Sequence, residues 1–316
     1  MNRDRIMDSL GKIDDTVIQR VNAARSAGKN RRIIRRWLSA AACFLLVASL
    51  ALTAEATNGT VSNLLAPIFG GAQTEIVEKM GIPVGASDSV NGYTLTVDAI
   101  IGDRYSVMIA YTLSRDDGQP IPEDIDFRNR GMAGSGYSTR IEIDKDDPSS
   151  AHFHSRWRRN EPLLGRIVTV KFTDLILEGI DGEETVVAEG TWELTFALRY
   201  PDTTEAVPSD GREITDGGGK RYRVRKILLS PIGIHVDLTF YEPEYPGGIF
   251  KDFEMSLIMA DGTDFPLEDG GGGGHWTEGD KRADIDYYAY FDIPIPKEDI
   301  RAIVICGTVF ELNEVE

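Results

Sequence analysis

The chain has 316 residues, enough for about two domains of ordinary size. Hydrophobic residues make up 41% and charged residues 27%, a balance that excludes both a disordered tail and a many-helix membrane protein. The formal net charge of −17 argues against nucleic acid as a main partner.

That charge is unevenly placed. Residues 1–36 carry ten Lys or Arg and four Asp or Glu, whereas the other 280 residues carry 24 basic and 47 acidic side chains. A basic head on an acidic body points to two different surroundings. Within the head, Ile6, Leu10, Ile13, Val17, Val21 and Ala24 recur at steps of three and four, which predicts an amphipathic helix. A lone helix of this length is marginal in water, so its apolar stripe calls for a cover: a cytoplasmic regulator, a second copy or the membrane surface. Ile6, Leu10, Ile13, Val17 and Val21 are therefore candidate partner-binding residues. The plainer reading is a frayed tail with no specific partner.

From Trp37 to Ala54 the chain runs without a charge, near the lower limit for spanning a bilayer core. Lys29, Arg31, Arg32, Arg35 and Arg36 precede this run and Glu55 follows it. The positive-inside bias predicts a single-pass transmembrane helix at 37–54 in the bacterial cell membrane, with 1–36 in the cytoplasm and the remainder outside. A cleaved signal peptide with Ala54-Glu55-Ala56 as its processing site is the main alternative, and a buried soluble helix the lesser one. A basic leader of thirty-six residues is long for a signal peptide.

Residues 55–87 read as a membrane-proximal connector, broken by Asn58-Gly59, Gly70-Gly71 and Pro83, with a short helix near Thr74–Met80. Strand grammar then takes over. Tyr93, Leu95, Val97 and Ala99 alternate with polar residues, and a turn at Gly102-Asp103 leads into Val107, Ile109 and Tyr111, which predicts a hairpin. Further strands are expected at Arg140–Ile143, Ile167–Leu177 and Thr191–Leu198. After the Gly/Pro/Asp-rich stretch 201–219, more follow at Tyr222–Leu229, Ile234–Phe240, Phe253–Met259, Tyr287–Ile293 and Ala302–Leu312. No helical run separates them. The expected fold is mainly β, with two antiparallel Ig-like β-sandwich modules at 88–200 and 220–316 joined by a linker at 201–219.

Catalytic signals are sparse. The chain contains no G-x-S-x-G elbow, P-loop or H-E-x-x-H, so the expectation is a non-enzyme without a cofactor. Gly217–Lys220 and the five glycines Gly270–Gly274 read as flexible loops. His152 and His154 would share one strand face, but the cationic segment around them disfavours a metal site. Asp144, Asp146 and Asp147 resemble half of a calcium loop without its register and read as a solvated turn. Cys306, in AIVICGTVF, reads as a small buried strand hydrophobe. Arg156, Trp157, Arg158 and Arg159 form a strong basic cluster in the acidic body. They could recognise an anionic wall polymer or peptide, or pair with nearby carboxylates.

NGYTLTVDAIIGDRYSVMIAYTL at Asn91–Leu113, GTWELTFAL at Gly190–Leu198 and SPIGIHVDLTF at Ser230–Phe240 resemble bacterial, mainly Gram-positive, membrane proteins of domain-of-unknown-function family 4179. The resemblance extends over most of residues 35–316. It implies an anchored, extracytoplasmic, strand-rich protein followed by a second sandwich-like module. Some such proteins look like anti-sigma factors or sigma-operon membrane proteins, which implies a sigma factor as a cytoplasmic partner. The head here is short and has no His or Cys for a zinc-type anti-sigma domain. The resulting expectation is a membrane-anchored extracytoplasmic sensor or regulator; the alternative is a non-catalytic cell-envelope adhesion or wall-scaffold protein.

Overall fold

The computed structural model describes residues 60–70, 74–131, 135–139, 141–178, 183–241, 250–267, 270–274 and 281–312. The amphipathic head, the apolar segment 37–54 and the residues Ile6, Leu10, Ile13, Val17 and Val21 lie outside the described residues. Among the described residues, no helix is long and apolar enough to cross a membrane.

The fold is mainly β, and its strand pairings are antiparallel. Three short helices come first: α1 (Thr60–Leu64), α2 (Ala66–Phe69) and α3 (Thr74–Met80), the last where the sequence places one. Strand β1 (Ile82–Val90) then turns through Asn91-Gly92 into β2 (Tyr93–Gly102). Both turn residues have positive φ, 49° and 83°, the backbone that lets a two-residue hairpin follow the strand twist. With β3 (Ser106–Arg115), β5 (Ser135–Ser138), β6 (Glu142–Ile143) and β7 (Ser150–Arg158), these strands form one sheet in the order β1-β2-β3-β7-β5, with β6 also on β7.

A three-stranded sheet of β4 (Ile125–Gly131), β8 (Ile167–Glu178) and β9 (Glu184–Ala197) shares its core. Tyr111, Phe127, Phe153, Phe172 and Trp192 meet at that centre, stacked or edge-to-face. Trp192 is fully buried, and its indole N–H donates to the Tyr93 carbonyl at 3.0 Å, so the one polar atom of the ring is satisfied.

A second core, around Tyr222, Phe240, Phe253, Leu257 and Phe310, lies under two further sheets. One runs β10 (Glu205–Val207), β12 (Arg221–Ser230), β13 (Gly233–Tyr241), β17 (Arg282–Tyr290), β16 (Gly270–Gly274), with β11 (Glu213–Thr215) also on β12. The other runs β15 (Asp264–Pro266), β14 (Met255–Met259), β18 (Ile300–Ile305), β19 (Thr308–Glu311).

Three expectations need correction. The stretch 201–219 is not a bare linker. Glu205–Val207 pairs with Ile227–Leu229 and Glu213–Thr215 with Arg221–Arg223, so most of it belongs to the second sheet. The glycines 270–274 form strand β16 rather than a loop: Cβ atoms at Gly270 and Gly272 would collide with Tyr287 and with Phe250 and the Asp286 carbonyl. Absence of side chains is what permits that approach. Cys306 is a turn residue: with φ of 47°, it and Gly307 separate β18 from β19. Burial pushes its half-buried thiol up from the usual range.

Candidate functional site

The alternation of β2, β3 and β7 sends Val97, Tyr111 and Phe153 into the first core and a second row of side chains to the opposite face. A register shift between Val97 and Ala99 adds one residue to β2, which brings Asp98 and Ala99 together on that outer face. Ala99, Ile101, Met108 and Ala110 make it apolar at one end. They are covered by Leu65, Phe69, Val77 and Met80 of the helical segment and by Ile232 from the β12–β13 turn, with Tyr290 against the edge. The helical connector, the first sheet and the C-terminal sheets thus share one buried cluster.

Polar bonds ring this cluster. Asp103, in the β2–β3 turn, accepts the Tyr105 and Ser106 amides on Oδ1 at 2.9 and 2.7 Å. Its Oδ2 accepts the Ser230 hydroxyl at 2.9 Å and the Tyr288 hydroxyl at 2.5 Å, both from the C-terminal sheets. Burial, followed by Asp103 itself, pushes the Tyr288 hydroxyl well above its usual range, so it remains a donor. Tyr105 stacks on His235 at 4.8 Å between ring centres, with the Lys226 ammonium over the Tyr105 ring at 5.5 Å. Gly102 is required beside this turn, because a Cβ there would enter the Tyr200 ring.

The basic cluster is spent on the same junction. Arg156 is buried, with its guanidinium 5.2 Å over the Tyr290 ring and 3.8 Å from Asp292 Oδ1. Trp157 points into the first core and donates to Ser155 Oγ at 2.7 Å. Arg158 is ion-paired with Asp286, which also accepts Asn160 Nδ2 at 3.1 Å. Arg159 is half-buried, and its amide donates to the Tyr105 carbonyl at 2.9 Å. Pairing with carboxylates and rings, rather than an open anionic-ligand patch, is the arrangement of Arg156, Trp157 and Arg158.

His152 and His154 do share a strand face but serve different neighbours. His154 bonds the Pro67 carbonyl of α2; burial, and then Arg156, push its pKa down to about 4, so it is a neutral donor near pH 7. His152 enters a hydrogen-bonded chain at the polar end of the face. Its Nε2 lies 3.0 Å from Asp144 Oδ2, its Nδ1 lies 3.0 Å from Thr112 Oγ1, and that hydroxyl is 2.7 Å from Asp98 Oδ2. Burial pushes Asp98 up to about 6, against the Thr112 bond and the nearby His152. Among the described residues, no three His, Cys, Asp or Glu side chains converge as a metal set.

The functional weight of Asp98, Asp103, Thr112, Asp286 and Tyr288 is not visible in local motifs. Asp103 alone had a signal, as an Asp positioned to bond amides two and three residues on. Its partners lie 127 and 185 residues away.

Residues 29–115 match the family described as Domain of unknown function (DUF4179). That span takes in the helical connector and β1–β3. No curated protein matches the chain. A solved structure, the conserved domain protein from Bacillus anthracis, is similar over 71% of this chain and 76% of its own, at 15% identity and a TM-score of 0.45.

Proposed function

We propose that this chain is a single-pass, membrane-anchored extracytoplasmic sensor or regulator of the Gram-positive type, non-catalytic, with two Ig-like β-sandwich modules outside and an amphipathic helix inside. The observation that carries this reading is the shared cluster of Leu65, Phe69, Val77 and Met80 with Ala99, Ile101, Met108, Ala110 and Ile232. The segment that follows the apolar stretch packs directly on the first sheet and touches the C-terminal sheets. A ligand that binds differently to the docked and released arrangements of this junction shifts its population, and with it the mechanical state of the connector. The arginines before Trp37 support a cytoplasmic head, whose apolar stripe is suited to a regulator such as a sigma factor.

Topology is tested with single cysteines at positions 10 and 210, in a chain with Cys43 and Cys306 replaced, using an impermeant thiol reagent on intact cells. Labelling at 210 and protection at 10 are expected. Function is tested by photocrosslinking from position 13 or 17. Capture of a sigma factor or another defined regulator, lost on Leu10→Asp, supports the sensor. Capture of lipid alone, together with an unchanged phenotype on deletion of residues 2–28, favours the adhesion or scaffold reading.

A further inference from the structure

The chain Asp98–Thr112–His152–Asp144 contains three heavy-atom contacts at hydrogen-bond distance, 2.7, 3.0 and 3.0 Å. Three such bonds need three hydrogens. The Thr112 hydroxyl supplies one, a neutral imidazole supplies one, and two carboxylates supply none. The chain is complete only when it holds one extra proton.

That proton has two resting places. With an imidazolium, Nε2–H donates to Asp144, Nδ1–H donates to Thr112, and the Thr112 hydroxyl donates to Asp98. With Asp98 protonated, its O–H donates to Thr112, the hydroxyl donates to Nδ1, and Nε2–H donates to Asp144. The two forms have the same proton count and interconvert by moving two hydrogens along the chain. Remove the extra proton and one of the three contacts becomes lone pair against lone pair, whichever tautomer the ring adopts.

We propose that Asp98, Thr112, His152 and Asp144 form a proton-held latch that clamps the turn 144–150 onto the first sheet and releases it when the proton is lost. Asp144 organises that turn. Its Oδ1 accepts the Asp146 and Asp147 amides at 2.8 and 3.3 Å, and its amide donates to the Ser150 carbonyl at 2.9 Å. The turn in turn receives the Arg115 amide on the Ser149 carbonyl and the Ile121 amide on the Pro148 carbonyl. Loss of the His152–Asp144 bond therefore frees more backbone than one side chain. The raised pKa of Asp98 supports proton retention above the ordinary carboxylate range.

The surrounding charges have been identified element by element. β6 brings Glu142, directly paired with His152, and the turn that follows it carries Lys145, Asp146 and Asp147. β7 itself contributes His154 and Arg156. Opposite the Asp98 bulge, β1 offers only the uncharged stretch Pro83–Ala86, and α1 and α2 carry no charged side chain. On α3, Glu75 pairs with Lys79 and Glu78 accepts the Ser62 hydroxyl.

Hydrogen–deuterium exchange of the full chain in lipid nanodiscs tests the latch, followed from pH 5.5 to 8.5 and corrected for intrinsic amide rates. In the wild type, exchange of the 141–152 segment should rise at least threefold more than that of β8 as the proton is lost. Asp98→Asn is the diagnostic variant, because its amide nitrogen supplies the missing hydrogen permanently. Its 141–152 segment should stay protected across the range. Thr112→Val breaks the middle of the chain and should leave the segment loose at every pH. A flat wild-type profile, or an Asp98→Asn profile that follows the wild type, overturns the proposal. Should Asp98→Asn lose protection throughout β3 and β8, the wild-type profile and the ¹⁵N shifts of the His152 ring decide instead. A ring that acquires and loses its second N–H without any change in 141–152 exchange also overturns it.

Discussion

Tyr288 donates its hydroxyl to Asp103 at 2.5 Å across 185 residues of sequence, and the same hydroxyl lies 2.7 Å from Ser106 Oγ. Both residues are buried, and Asp103 closes the β2–β3 turn with its other oxygen. One carboxylate therefore shapes a hairpin of the first sheet and fixes the C-terminal sheets to it. Tyr288→Phe leaves the ring in place but removes a donor from a buried carboxylate, at a cost of about 1–3 kcal/mol. Asp103→Ala strands two amides and two hydroxyls and should cost more. Urea unfolding of the two variants checks this, and an Asp103→Ala chain as stable as Tyr288→Phe contradicts the hub role.

The stretch 201–219 should resist proteolysis despite its glycines and prolines. Two short segments of it are hydrogen-bonded to β12, Ser209 and Asp216 are buried, and Arg104 holds Asp202 at 2.7 Å. Proteases need an extended, locally unfolded substrate. Brief digestion should not divide the body into two stable pieces at this point. Rapid release of fragments ending between 203 and 219 would show that the pairing is weaker than its geometry.

Two buried titratable groups on the outer face pull stability in opposite directions with pH. Asp98 is raised from 3.8 to about 6 by burial. Its contribution is fully present below about pH 4 and is lost as pH rises through 6. His154 is lowered from 6.5 to about 4, first by burial and then by Arg156. Its contribution is fully present above 6.5 and is lost as pH falls toward 4. Each effect is worth roughly 1–2 kcal/mol after partial solvent access is allowed for, so the two should largely cancel in the wild type. Asp98→Asn exposes the His154 slope, with stability falling on acidification from 6.5 to 4. His154→Gln exposes the Asp98 slope, with stability rising over the same interval. Denaturation midpoints at four pH values test both signs.

The legible and illegible parts of this fold divide by range. Thr74–Met80, the hairpin around Gly102-Asp103 and strands such as Thr191–Leu198 announced themselves, because period and turn chemistry are local. β1 was passed over although Asn91-Gly92 follows it, since Pro83 and Gly85 broke its alternation. β7 was weighed as chemistry, and its polar outer row of His152, His154, Arg156 and Arg158 hid the apolar inner row of Ala151, Phe153 and Trp157. The junction itself had no sequence signature. Ile232, Tyr288 and Asp286 acquire their meaning only from residues more than a hundred positions away.

The five-glycine strand gives the sharpest test of side-chain parity. Gly270, Gly272 and Gly274 lie where a Cβ would strike Tyr287, the Asp286 carbonyl with Phe250, and Ile285, whereas Gly271 and Gly273 have no neighbouring atom within 4 Å of an added Cβ. Gly272→Ala must displace backbone as well as a ring, and overpacking of that kind costs about 1–3 kcal/mol. Gly271→Ala meets open space and removes unfolded-state entropy, so it should be neutral or stabilising by about 0.4–1 kcal/mol. The same methyl group, moved by one residue, therefore changes the sign of the effect. Thermal melts of Gly271→Ala, Gly272→Ala and Gly273→Ala should give an alternating series with Gly272→Ala lowest. Three equal melting temperatures would mean that 270–274 is a loop in solution, as the sequence alone suggests.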